Sequence, residues 1–214
     1  DLVFGFGKEA FATHVTGPDQ SFASLPEGIP PEAGATIPVA FYTAWYALVE
    51  LARLAPGEKV LIHGGAGSVG LAAIQLARHH GATVFATASA YKRATLRDIG
   101  VEYVYDSRTT DFADQILADT DGAGVDVVLN SLTGEGFIEA TVRATAKGGR
   151  FAEIAKRDIW TAEQMAAVRP DIDYGVIALD VTMMNDPDHI QTLMVEVAEG
   201  LANGEWTPVP AEVY

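Results

Sequence analysis

Cysteine is missing from this sequence, which excludes disulfides and every thiolate metal site and fits a reducing, cytoplasmic compartment. Positive charge is scarce: 14 Lys and Arg stand against 29 Asp and Glu, a formal charge of −15. A phosphate surface would be repelled, so nucleic acid and anionic membranes are not expected as partners, and solubility accounts for the acidity. Apolar runs fall well short of the roughly 18 residues that a membrane span needs, and no signal peptide opens the chain. The first residue is Asp1 rather than Met, which suggests a piece of something longer. There is no H-x-x-E, C-x-x-C or G-x-S-x-G, so neither a metalloenzyme nor a serine hydrolase is expected, and no metal ligands are assigned.

What is present is a rhythm. Residues 1–35 are short apolar pieces broken by Gly and Pro, as in the tail of a β-rich domain followed by a connection. From Pro38 a helical spacing of Tyr42, Trp45, Tyr46 and Val49 runs to a stop at Pro56-Gly57. Six apolar runs then alternate with helical stretches: KVLIH from Lys59, TVFAT from Thr83, Glu102–Tyr105, VDVVL from Val125, GRFAEI from Gly149 and YGVIAL from Tyr174. A last helix is expected from Pro187, with Asp186 as its N-cap and Gly204 at its end. Runs of this kind predict an α/β fold, a doubly wound Rossmann-type parallel sheet of about six strands covered on both faces. Residues 36–204 form that domain, and the final EWTPVPAEVY (205–214) reads as a return strand.

The glycine loop carries the chemistry. Gly65-Ala66-Gly67-Ser68-Val69-Gly70 matches G-x-G-x-x-G between the first strand of the sheet and its helix. Gly65 would permit the tight turn, Gly67 the approach of a pyrophosphate, and Gly70 close helix–strand packing. The helix N-terminus then offers free N–H groups and the positive end of its dipole. An NAD site expects an acid about 20 residues further on. This sequence has Ala88-Ser89 there, followed by Lys92 and Arg93, with Arg108 beyond the next strand, which favours the 2′-phosphate of NADPH.

The strings TIPVAFYTAWYALVELARLAPGEKVLIHGGAGSVG, LARHHGATVFATAS, SRTTDF, GVDVVLNSLTGE and GGRFAEIAKRDI resemble, in order and spacing, the enoyl reductase domains of modular polyketide synthases and animal-type fatty acid synthases. These are zinc-free medium-chain dehydrogenase/reductases, and the resemblance covers nearly the whole chain. It departs from the usual pattern at Gly64, Gly65, Ser68 and Ala155. It implies NADPH-dependent reduction of an enoyl thioester on an acyl carrier protein, among neighbouring synthase domains. It also implies a GroES-like substrate domain, of which residues 1–35 are a remnant. Cofactor contacts then fall on Thr43 at the nicotinamide end and on Gly65 to Gly70 at the pyrophosphate. Ser89, Lys92, Arg93, Ser107 and Arg108 fall at the adenosine phosphate, and Asn130, Ser131 and Leu132 near the nicotinamide ribose.

Lys156 and Asp180 follow the last two strand candidates, where side chains face the cleft, and the resemblance makes the same two its proton donors. An ordinary exposed ion pair is the bland alternative for them. His63 has no partner motif and reads as structural. The competing functions are a free-standing zinc-free quinone or enone reductase and a fragment that binds NADPH without turnover.

Overall fold

The apolar runs become strands and the amphipathic stretches between them become helices. The computed structural model describes residues 2–7, 9–10, 12, 14–179 and 186–211. They fall into two units, Asp1–Thr43 with Ala178–Tyr214, and Ala44–Ile177.

The first unit begins with two short antiparallel strands, β1 (Val3–Gly5) and β2 (Phe22–Ser24), paired Val3 to Ser24 and Gly5 to Phe22. Helix α1 (Pro31–Gly34) follows, opened by proline, and then α2 (Pro38–Trp45), whose last two residues already count in the second unit. Beyond α2 the chain winds as a π-helix over Tyr46–Leu51 and stops before Pro56, as the sequence predicts.

The second unit is the sheet: β3 (Lys59–Ile62), β4 (Thr83–Ala88), β5 (Tyr103–Asp106), β6 (Val125–Asn130), β7 (Thr145–Glu153) and β8 (Asp173–Val176). All neighbours run parallel in the order β5-β4-β3-β6-β7-β8, so strand order reverses between β3 and β6. That reversal is where an open α/β sheet forms its ligand crevice. The connecting helices are α3 (Ser68–His79), α4 (Arg93–Asp98), α5 (Phe112–Asp119), α6 (Phe137–Ala144) and α7 (Ala162–Val168). Burial follows the pattern of a sheet covered on both faces: Val60, Leu61 and Ile62 are sealed, as are Val127, Val128 and Leu129. Phe85 stacks on Tyr103 with ring centroids 4.3 Å apart, within a core that also takes in Phe112, Ile138, Phe151 and Met165. Ala72, Ala73 and Ala77 are fully buried, so α3 lies close against the sheet. A capping box opens α7: the Thr161 hydroxyl accepts the Gln164 N–H and the Gln164 side chain accepts the Thr161 N–H. Strand β7 begins earlier than its apolar run, at Thr145, and shifts register between Val125 and Val127 of its neighbour.

Helix α8 (Pro187–Ala202) starts with Asp186, whose carboxylate accepts the His189 N–H at 3.1 Å. From the sequence alone it reads as part of the nucleotide domain, whereas the structure groups it with β1 and β2 in the first unit. Its stripe of Ile190, Leu193, Met194, Val197 and Leu201 is buried. Of residues 205–214, read as a return strand, the described ones (205–211) form none. Pro208 and Pro210 remove two backbone donors that a ladder would need. No helix among the described residues is long and apolar enough to cross a membrane.

Candidate functional site

The glycine loop sits between β3 and α3, at the reversal of strand order. The sequence pattern gives the tight turn to Gly65, but the left-handed residue is Gly64, with φ at +63°. Gly65 is needed for room instead, since a Cβ there would lie 2.9 Å from that of Ala86. At Gly70 a Cβ would lie 2.6 Å from the Gly64 carbonyl oxygen and from Gly65 Cα, so helix and loop touch directly. Gly67 differs from both. It is the exposed N-cap of α3, and its missing Cβ would meet only the Gly64 carbonyl oxygen, at 3.3 Å. No side chain caps the helix there. The Gly67 N–H donates to the Gly64 carbonyl at 2.8 Å, so Gly67 contributes room, and Ser68, Val69 and Gly70 present backbone from the first turn of a 12-residue helix. Ala66 and Val69 are partly buried. This open cradle fits the pyrophosphate of a dinucleotide.

On the β4–β5 side, Ser89 follows β4 and caps the turn that carries Tyr91 and Lys92. Its carbonyl accepts the Lys92 and Arg93 N–H groups at 2.9 and 3.2 Å. Lys92 is exposed, its Nζ 5.8 Å from the Tyr91 ring centre. Arg93 is engaged: its guanidinium reaches the Asp106 carboxylate at 3.6 Å. The same carboxylate accepts the Arg108 N–H at 2.9 Å, and Ser107 donates its N–H to the Ala88 carbonyl at 3.1 Å. Ser89, Lys92, Arg93, Ser107 and Arg108 thus share one end of the sheet. Asp106 at their centre escaped the sequence reading, although its place as last residue of β5 could have found it.

The β6–β7 side is more tightly built. Asn130 ends β6 fully buried, its Nδ2 donating to the Glu153 carboxylate at 2.6 Å and to the Leu132 carbonyl at 3.3 Å. Its Oδ1 accepts the Leu132 N–H at 3.3 Å. Ser131 Oγ donates to the His63 carbonyl at 3.3 Å, which ties this loop to the glycine turn. Glu153, last in β7 and wholly buried, also accepts the Ala155 N–H at 2.8 Å. Burial pushes its carboxyl pKa up, against the pull of the bonds from Asn130, Ala155 and Ile154. Lys156 is exposed and donates to the Ile177 carbonyl at 3.1 Å. Asp180, its expected partner, lies outside the described residues. Thr43 belongs to the first unit, is buried, and turns its hydroxyl onto the Val39 carbonyl at 2.6 Å.

His63 is sealed between two threonines, Nδ1 3.0 Å from the Thr87 hydroxyl and Nε2 3.0 Å from that of Thr141. The Thr141 hydroxyl proton goes to the Phe137 carbonyl, so Thr141 accepts from His63, and Nε2 carries the ring proton. Thr87 then donates to Nδ1 and accepts the Gly64 N–H at 3.3 Å. Burial lowers the His63 pKa to about 3, so the ring is neutral near neutral pH. It is a strut beneath the glycine turn, not an acid. Among the described residues no group of three or more His, Cys, Asp or Glu could hold a metal ion.

Residues 68–199 match the family described as zinc-binding dehydrogenase. The chain is 46% identical, over 87% of its length, to the mycocerosic acid synthase-like polyketide synthase of Mycolicibacterium smegmatis, and covers 9% of that protein. It is similar to the CurF ER cyclopropanase of the curacin A biosynthetic pathway, with a TM-score of 0.91 and 38% identity over 94% of this chain and 60% of that one. The nucleotide-binding subdomain of the enoylreductase domain of PpsC from Mycobacterium tuberculosis is 45% identical with a TM-score of 0.72, over 79% of this chain and 96% of that one. The chain spans about a tenth of the length of the curated relatives it matches.

Proposed function

The chain belongs to the zinc-binding dehydrogenase family, among the enoyl reductase regions of polyketide synthases, and from that premise we propose that it reduces the double bond of an enoyl thioester carried on an acyl carrier protein, with NADPH as reductant. The single observation that carries this reading is the open glycine cradle at the strand reversal, beside a β4 that ends in Ala88 and is followed by Ser89 instead of an acid. Gly67 and the first turn of α3 would hold the pyrophosphate, and Ser89, Lys92 and Arg108 the 2′-phosphate. Asn130, Ser131 and Leu132 would line the nicotinamide half, because each half of a doubly wound sheet takes one mononucleotide.

When bound, the reduced nicotinamide supplies hydride to Cβ of the thioester. Lys156 would then deliver a proton to Cα, where the carbanion is conjugated with the thioester carbonyl, with Asp180 as second donor. Addition of hydride and proton leaves the saturated thioester. As an ammonium group at the mouth of the cleft, Lys156 would also stabilise the negative charge that builds on the thioester oxygen.

In the complete protein, fluorescence titration should give clearly tighter binding of NADPH than of NADH, and NADPH oxidation should require an enoyl thioester and yield its saturated product. Equal affinities would overturn the choice of cofactor. Oxidation by quinones but not by thioesters would make the chain a quinone reductase, and a cyclopropane product would align it with the CurF relative.

A further inference from the structure

Glu153 is a buried acid that the proton chemistry above does not use. Both of its carboxylate oxygens face donors: Asn130 Nδ2 at 2.6 Å and the Ala155 N–H at 2.8 Å. A protonated carboxyl would have no acceptor at either oxygen, so this geometry suits the ionised form, which only accepts hydrogen bonds. That has a consequence for Asn130. Its NH2 must point at Glu153, which leaves Oδ1 toward the Leu132 N–H, and both groups are so bonded. If the amide were reversed, Oδ1 would face the carboxylate and Nδ2 would face an N–H. One buried carboxylate therefore sets the orientation of Asn130 and the course of the loop to Leu132. Through Ala155 it also fixes the start of the loop to Lys156. The strand ends are laced together at the same level, Ile154 N–H to the Asn130 carbonyl at 3.0 Å and Ile177 N–H to the Glu153 carbonyl at 2.8 Å.

We propose that Glu153 is a positioning residue that pre-sets, through Asn130 and Ala155, both loops against which the nicotinamide half of the dinucleotide lies, while the adenosine half is held independently of it. This rests on the dinucleotide reading above. The two halves are separable because Asn130 and Glu153 end β6 and β7, whereas Ser89 and Arg108 follow β4 and β5 on the other side of the reversal. Ordering both loops beforehand removes that entropy from the binding step.

The test compares two probes on the complete protein, NADPH and adenosine 2′,5′-bisphosphate, which carries only the adenosine end. Glu153→Gln has one acceptor oxygen for two donors, so one donor is left facing an NH2 whichever way the amide turns. NADPH should bind roughly tenfold to a hundredfold more weakly, the range for a hydrogen bond to a charged group. Adenosine 2′,5′-bisphosphate should bind as before. The reciprocal double variant, E153Q with N130D, again sets a donor against an acceptor and should recover part of the loss, the bond from Nδ2 to the Leu132 carbonyl being given up. That pair carries the same test if Glu153→Gln alone is unstable, because only an interaction between the two side chains predicts rescue. Unchanged NADPH affinity, equal losses for both probes, or no recovery in the double variant would overturn the proposal. If the unaltered protein binds neither probe, the dinucleotide reading itself fails, and this inference with it.

Discussion

Arg93 meets the Asp106 carboxylate at 3.6 Å, while the same carboxylate accepts the backbone N–H of Arg108. Both side chains are about a third exposed, so the pair adds little to stability. Its effect is local: it draws one of the three cations near Ser89 toward an acid, and leaves Lys92 and Arg108 as the more exposed of them.

The consequence for cofactor choice is asymmetric. Lys92→Ala should weaken NADPH by about 1–3 kcal/mol and leave NADH nearly unchanged. Arg93→Ala should cost less than Lys92→Ala, since the Arg93 guanidinium is already drawn to the Asp106 carboxylate. Asp106→Asn should tighten NADPH relative to NADH by removing a negative charge. Titration of the three variants with both cofactors checks the order.

Two glycines of one loop should fail differently. Gly70→Ala drives a Cβ into the backbone of Gly64 and Gly65, and should lose about 1–3 kcal/mol or more of stability as well as cofactor binding. Gly67→Ala has an ordinary φ of −90° and meets one atom, the Gly64 carbonyl oxygen at 3.3 Å. It should cost less stability than Gly70→Ala yet bind NADPH roughly tenfold more weakly, because its Cβ would stand where the pyrophosphate approaches the helix N-terminus. Thermal melts run beside titrations separate the two.

The sheet was legible in the sequence because a parallel strand buried on both faces has to be an apolar run, and a glycine loop after such a run has few other uses. Pairing across strands was not legible. Asn130 could be picked out from its motif, but Glu153 stands 23 positions later in an unremarkable FAE, and only the β6–β7 register sets the two side by side. Gly64 carries the left-handed turn although Gly65 opens the motif, because the motif counts residues and does not report φ. His63 had no motif at all. Its partners Thr87 and Thr141 come from two other elements, and folding alone brings them within hydrogen-bond distance.

His63 gives an acid limb to stability. Its ring is neutral when folded, with a pKa near 3, whereas the unfolded ring takes up a proton below about 6.5. The unfolded state therefore binds more protons across that window, and stability falls as pH drops through it. His63→Leu leaves the Thr87 hydroxyl proton without its acceptor, while Thr141 keeps its bond to Phe137, and should cost about 1–3 kcal/mol at neutral pH. It should also flatten the loss between neutral pH and pH near 5. Urea midpoints at the two pH values read both effects.

Proton delivery should separate from cofactor binding. Lys156→Ala in the complete protein should leave NADPH affinity almost intact and lower turnover, by as much as 10²–10⁴-fold where no water takes over as donor. If Lys156 and Asp180 act as a unit, Asp180→Asn combined with it should cost less than the product of the single losses. Near-normal turnover in both single variants and the double would mean that neither delivers the proton.

Zinc should be dispensable despite the family's description. With no cysteine in the chain, the thiolate sets that hold catalytic or structural zinc cannot form. Treatment with a strong chelator should leave NADPH oxidation unchanged, and stoichiometric zinc by elemental analysis with activity lost on chelation would contradict this.

The first unit draws β1 and β2 from one stretch of sequence and α8 from another, with the whole sheet encoded between them. A ribosome adds roughly 5–20 residues per second, so the hairpin waits on the order of ten seconds for the helix that packs on β2 to be made. The sheet, whose residues are contiguous, is complete by then. Synthesis thus delivers every residue of the nucleotide unit before α8, and Phe22 and Ala23 stay without their helix until residues 187–202 emerge.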